Sequence, residues 1–193
     1  MREGGCYVCG IDTNVSTLHK ARKLASDLGI QSSDITFVER ATPELRQTFD
    51  VVISQNAMEH FPNPVGALDE MKSLIHRDGK ILITFGPPWL APYGSHMHFF
   101  CKVPWMNLIF SETTVMNVRA LYRHDAAKRY EDVESGLNKM TVTKFEGIVS
   151  QSGLRLEYKK YSCIKRLDWM GSIPLLRELV VNHVSCILTL PTR

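Results

Sequence analysis

Hydrophobic positions along the 193-residue chain change their period several times. The run Cys6-Tyr7-Val8-Cys9-Gly10-Ile11 stays apolar and stops at Asp12, which predicts a short buried strand. The period then lengthens: Val15, Leu18, Ala21, Leu24, Ala25 and Leu28 recur at helical spacing, with Lys and Arg on the opposite face. Asn14 is the expected N-cap of that helix and Gly29 its stop. Two more apolar runs predict strands at 35–38 and at 51–54, the latter entered through Phe49-Asp50. Residues 64–75 predict a helix with Pro64 in its first turn and Ala67, Leu68, Met71, Leu74 and Ile75 facing inward. Asp78-Gly79 predicts a turn, and Ile81-Leu82-Ile83-Thr84-Phe85 a fourth strand.

Beyond Phe85 the texture changes. Residues 86–100 are rich in Gly, Pro and aromatics and predict a long loop. Residues 103–130 predict mostly helix of weak periodicity, and 131–138 a mobile connection. A helix over 141–151 closes at Gly153; Leu154, Leu156 and Tyr158 then alternate with Arg155, Glu157 and Lys159, as a strand does. A short helix over 174–179 precedes a last strand at 181–190. Short apolar strands alternating with helices predict an α/β fold: a Rossmann-like, mostly parallel sheet flanked by helices, ending in an antiparallel strand pair. Residues 1–193 are expected to form one domain with an insertion at about 86–138.

Composition narrows the class. Apolar residues at 44% and charged residues at 22% are ordinary for a globular chain. Lys plus Arg is 23 against 20 Asp plus Glu, and a net +3 lacks the strong basic face of a dedicated nucleic-acid binder. Five cysteines, an odd number, argue against a secreted disulfide framework. No stretch reaches the roughly 18 to 20 apolar residues of a membrane span; the most apolar region, 173–190, is broken by Arg177, Glu178, Asn182 and His183. Met1-Arg2-Glu3-Gly4-Gly5 shows no signal-peptide pattern. The expectation is a cytoplasmic protein that acts on a small molecule, without nucleic acid or a membrane span.

Ligands of open parallel sheets bind beyond the carboxyl ends of the strands. At the first such end Asp12 either accepts hydrogen bonds from two ribose hydroxyls or helps cap the next helix. After the second, Glu39-Arg40-Ala41 either reads an adenine edge through an amide and a polar side chain or forms a salt-bridged loop. After the third, Gln55 and Asn56 face the crevice, and Glu59-His60 either serves acid–base chemistry or orients the loop before the helix. The long loop offers Trp89, Tyr93, His96 and His98 for substrate recognition. His96 and His98 suggest metal ligands, but no third ligand is evident and no metal is expected. Cys6 and Cys9, three apart on a strand, point to opposite faces and are expected in the core.

Val8-Cys9-Gly10-Ile11-Asp12, Phe49-Asp50-Val51-Val52-Ile53-Ser54, Glu59-His60-Phe61-Pro62-Asn63-Pro64 and Arg77-Asp78-Gly79-Lys80-Ile81-Leu82-Ile83 form an ordered series. Joined by Leu68-x-Glu70-Met71-x-x-Leu74-Ile75, it resembles class I S-adenosylmethionine-dependent methyltransferases of the methyltransferase type 11 kind, over about residues 6–88. The resemblance implies S-adenosylmethionine as cofactor and methyl transfer to a small-molecule acceptor. It implies ribose binding at Asp12, adenine binding at Arg40 and Ala41, and a cofactor crevice lined by Gln55 and Asn56. His60, His96 and His98 are then candidates for the base or for positioning the acceptor, with Trp89 and Tyr93 against it. Arg40 stands where the family usually has Asp. The family's first strand and Gly-rich turn have no counterpart in Met1 to Gly5, so an N-terminally truncated domain is expected. The rival readings are a nicotinamide-dependent oxidoreductase and a catalytically inactive methyltransferase-like fragment that binds a partner.

Overall fold

The computed structural model describes residues 5–191, which divide between Arg46 and Gln47 into two compact units. In the first, β1 (Val8–Ile11) pairs in parallel with β2 (Ile35–Val38), Val8 opposite Ile35 and Ile11 opposite Val38. The connection is α1 (Val15–Asp27), which begins because Asn14 Oδ1 accepts from the amides of Ser16 and Thr17 at 3.0 and 3.3 Å. Gly29 follows it with φ +68°, the left-handed conformation that glycine adopts at least cost. Gly10 lies against Phe37: a Cβ there would sit 2.8 Å from the ring.

The predicted burial of this unit is only partly realised. Leu18 and Ala25 of α1 are buried, while Val15, Leu24 and Leu28 are exposed. β1 is half exposed, Cys6 is exposed and Cys9 half-buried, so the two cysteines are not core residues. The reason is geometric: a two-stranded sheet with one helix has too little apolar surface to cover both faces.

The second unit holds a four-stranded sheet in the order β3-β4-β6-β5. β3 (Phe49–Gln55) and β4 (Ile75–Phe85) are parallel, joined by α2 (Pro64–Leu74). β6 (Val181–Thr189) runs antiparallel to both β4 and β5 (Arg155–Cys163), as the sequence predicts for the end of the sheet. Asp78-Gly79 is not a turn between elements but lies inside β4. Phe49 is opposite Ile75 while Val51 is already opposite Lys80, so two steps on β3 face five on β4 and the extra residues bulge. Gly79 suits the bulge, because a Cβ there would lie 2.9 Å from the Phe49 carbonyl.

β4 is the most buried strand, with Ile75, Ile81, Ile83 and Phe85 inaccessible. They pack with Val184, Cys186 and Leu188 of β6, and with Phe145 and Ile148 of α5 (Val142–Gln151). The Phe85 and Phe145 rings meet at 4.9 Å. Each such side chain contributes about 1.5–3 kcal/mol by leaving water. Burial pushes the Cys186 thiol up to about 12, so it stays protonated and packs as an apolar group.

Residues 103–130 are less helical than predicted, forming α3 (Met106–Ile109) and α4 (Glu112–Arg119) within loops. Met106, Val115 and Met116 anchor them to a second core with Met97, Tyr130 and Leu137. The predicted mobile connection at 131–138 is tied down: Leu137 is buried, and the Asn138 amide group donates to the Met58 and Phe61 carbonyls at 2.7 and 2.8 Å. The short α6 (Pro174–Val180) carries Glu178, whose carboxylate accepts from the amides of Val142 and Thr143 at the start of α5. No helix among the described residues is long and apolar enough to cross a membrane.

Candidate active site

The carboxyl end of β3 in the second unit gathers most of the chemistry. Asn56 turns the chain there with φ +49°, its amide donating to the Thr84 carbonyl at 2.8 Å. Its side-chain oxygen lies 3.2 Å from His183 Nε2, and His183 Nδ1 lies 3.4 Å from Ser185 Oγ. Asn56 therefore orients its amide through β6, 127 residues away in sequence. Three residues on, Glu59 is buried, with one carboxylate oxygen accepting from the Gly86 amide at 3.1 Å and the other buried without a partner among the described residues.

His60 Nδ1 lies 2.7 Å from the Gly136 carbonyl. A carbonyl only accepts, so Nδ1 carries the proton and Nε2 keeps its lone pair in the neutral ring. His60 lines a cavity of about 330 Å³ together with Pro62, Glu112, Arg129, Asn138 and Lys139. Glu112 accepts from the Tyr130 amide at 2.7 Å and from Lys139 at 3.0 Å. Burial pushes its carboxyl up, but these two donors outweigh burial and hold it below the usual carboxylate range. Arg129 pairs with Glu131 at 2.5 Å, so the cavity's opposite charges are matched. The Lys139 ammonium lies 5.6 Å from the centres of both the Trp89 and Tyr130 rings. Burial pushes the Tyr130 phenol up to about 12, which keeps it neutral.

Of the loop residues, His96 comes beside His60, the rings meeting edge-on at 5.5 Å. Its Nε2 donates to the Pro87 carbonyl at 3.2 Å. Burial lowers its proton affinity, and the nearby His60 acts in the same sense, against the Pro87 carbonyl and Glu59, which favour the charged form. Trp89 packs edge-on to Tyr130 at 4.7 Å. His98 and Tyr93 are instead exposed and pack on each other at 4.8 Å; neither lines the cavity. Gly94 lets this loop close tightly, since a Cβ would fall 2.2 Å from the Pro88 carbonyl oxygen.

In the first unit Asp12 follows β1 directly. Its Oδ1 accepts from the Asn14 amide at 2.8 Å, which braces the cap of α1, and its own amide donates to the Val38 carbonyl at 3.2 Å. Arg40 is exposed and Ala41 half-buried just after β2. Among the described residues no three His, Cys, Asp or Glu side chains cluster to hold a metal ion.

Residues 1–88 match the family described as "Methyltransferase domain". The chain is 30% identical over 89 residues to a ubiquinone biosynthesis O-methyltransferase of Actinobacillus pleuropneumoniae, covering 44% of this chain and 38% of the relative. Over 188 residues it is 22% identical to an uncharacterized methyltransferase of Mycobacterium ulcerans, covering 96% of this chain and 68% of that one. Among solved structures, a geranyl diphosphate methyltransferase in complex with S-adenosylmethionine superposes with a TM-score of 0.58 at 11% identity, over 97% of this chain and 70% of that chain. Residues 1–88, a little under half of the chain, are therefore similar to the methyltransferase-domain family. The chain's fold is similar to that of the solved geranyl diphosphate methyltransferase. The chain spans about two fifths of the Actinobacillus relative's length.

Three residues of this site escaped the sequence reading. Gly136 and Asn138 act on the loop of Glu59 and His60 from about 80 positions away. His183 was noted only as a break in an apolar run, and no local pattern links it to Asn56.

Proposed function

We propose that this chain transfers a methyl group from S-adenosylmethionine to a hydroxyl of a small-molecule acceptor. The observation that carries the proposal is the fixed tautomer of His60 on the wall of a polar cavity beyond β3. The family and the fold support the cofactor, and the Actinobacillus relative is named as an O-methyltransferase. A cavity of about 330 Å³ is the size for a small ligand.

Taken by itself, each unit carries polar residues of the kind that bind nucleotide-like groups. In the first, Asp12 has one carboxylate oxygen bonded to Asn14 and a second to accept from a ribose hydroxyl. Arg40 and the Ala41 backbone are proposed at the adenine, where a cation in place of the family's usual Asp leaves recognition to the main chain. In the second unit, His183 holds the Asn56 carbonyl oxygen, which directs the Asn56 NH₂ to donate; Gln55 adds a second amide. The bound cofactor supplies an electrophilic methyl carbon on a sulfonium sulfur.

His60 Nε2 takes the acceptor's proton as its oxygen attacks, and Nδ1 remains bonded to the Gly136 carbonyl, which stabilises the imidazolium. His96, neutral and packed against it, sets the ring's plane. Trp89, packed on Tyr130 and within reach of the cavity's Lys139, is proposed to meet a ring-bearing acceptor. Tyr93 and His98, exposed on the same loop, are proposed to meet the acceptor from solvent.

The test is incorporation of labelled methyl from S-adenosylmethionine into a panel of phenols and aliphatic alcohols. His60→Gln is expected to lower kcat about 10²- to 10⁴-fold while leaving cofactor affinity unchanged. Unchanged turnover in that variant, or no labelled product from any acceptor, would contradict the assignment.

A further inference from the structure

Among the described residues of the second unit, the stretch 99–123 concentrates exposed large apolar side chains. Phe99, Leu108, Ile109, Phe110, Leu121 and Tyr122 are all exposed, Ile109 by 60% and Leu121 by 76%. The segment is not loose: Met106, Val115 and Met116 on its inner side are buried in the second core. Its outward apolar residues are thus additional to those the fold needs.

Contacts link several of them. Phe99 packs edge-on to Phe100 at 5.0 Å, and Phe100 stacks on Tyr122 at 5.4 Å. α3 packs against α4, and Val118, Leu121 and Tyr122, spaced i, i+3, i+4, continue a stripe off the end of α4.

The charges on this surface are one-sided. Lys102, Arg123 and His124 are exposed, and the Arg123 guanidinium lies over the Phe99 ring at 4.9 Å. The nearby carboxylates are engaged elsewhere. Glu112 binds Lys139 and the Tyr130 amide, and Asp125 binds Arg119 at 2.5 Å, which holds its carboxyl well below the usual range. What remains is a face of aliphatic and aromatic side chains edged by cations. That combination matches a bilayer interface: apolar residues enter the acyl boundary, aromatics sit at the headgroups, and Lys and Arg meet anionic phosphates.

We propose that residues 99–123 dock this protein reversibly on an anionic lipid surface. The proposal concerns attachment and does not depend on the methyl-transfer reading. The test is co-sedimentation of the purified chain with phosphatidylcholine vesicles, with and without a minor fraction of phosphatidylglycerol. Sedimentation is expected only with phosphatidylglycerol and is expected to weaken with added salt. Lys102→Glu with Arg123→Glu should weaken it by about fivefold or more for each cation removed. Ile109→Ser with Leu121→Ser should abolish it. All four positions are exposed, and an unchanged thermal melt verifies that the variants fold. Failure to bind either vesicle, equal binding to both, or equal binding by the variants would overturn the proposal. So would self-association in sedimentation velocity that Leu121→Ser abolishes while vesicles recruit nothing; that result would make the face a contact between copies.

Discussion

At the scale of single residues, the loop from Met58 to Phe61 is held by Asn138. Its NH₂ donates to two carbonyls of the loop and its backbone amide to a third, that of Glu59, at 2.9 Å. Asn138→Ala would leave two part-buried carbonyls without a donor. The expected loss is about 1–3 kcal/mol in urea unfolding, with lower turnover because the His60 ring loses its fixed loop. His96 gives a pH signature. Its proton affinity in the folded chain is lowered by burial, below the ordinary imidazole value of about 6.5. As pH falls, the unfolded chain takes up this proton first. The contribution is therefore whole above the ordinary value and is lost as pH drops through the lower folded value. Between neutral pH and about pH 5, Tm of the parent should fall more steeply than Tm of His96→Asn. Asn is chosen because His96 has φ +58°, which Asn tolerates. Parallel slopes would rule out this role. His60 and His96 stood out in the sequence because they carry titratable groups in segments that leave strands. Asn138 carries no such flag, and its role exists only once the chain has folded back across 77 to 80 positions.

At the scale of elements, legibility followed periodicity and capping. α1, α2 and α5 have apolar residues at helical spacing and side-chain caps at Asn14, Asn63 and Thr141. β2 (Ile-Thr-Phe-Val) and the Cys186-Ile187-Leu188 stretch of β6 are short apolar-rich runs, β2 bounded by turns and β6 preceded by a helix. Residues 103–130 lack both signals. Pro104, the left-handed Trp105 and the cap at Ser111 break the stretch into two short helices that depend on the second core. The Asp78-Gly79 bulge shows the same limit, since the local turn signal is real and tertiary pairing with β3 carries the strand through it. α5 also has a tertiary component: Glu178 of α6 places a carboxylate on its first two amides, where the helix dipole favours negative charge. Glu178→Ala should cost about 1–2 kcal/mol in denaturant unfolding, and Glu178→Gln less. Stability unchanged in the alanine variant would mean that Thr141 suffices as the cap.

At the scale of the whole molecule, the strand edges bear on behaviour in solution. Among the described residues β3 forms one edge of the four-stranded sheet, and Ile53 on it is 68% exposed with Val51 also exposed. An unpaired edge with apolar side chains invites pairing between chains. Ile53→Lys should lower light scattering on concentration without lowering Tm, and scattering unchanged by the lysine would place self-association elsewhere. The α/β class and the antiparallel end of the sheet were legible from strand patterning. The half-exposed state of β1 was not legible from its apolar run, which reports what a strand can bury; the expectation of exposure comes from the absence of the family's first strand in Met1 to Gly5.

The central claim is that this chain serves S-adenosylmethionine chemistry, and calorimetric titration of S-adenosylhomocysteine into the purified chain tests it most directly. The account predicts a single saturable site of micromolar strength that Asp12→Ala weakens at least tenfold, a loss of about 1.4 kcal/mol. No binding by a chain that melts cooperatively, or binding indifferent to Asp12, would contradict it and leave the partner-binding reading in its place.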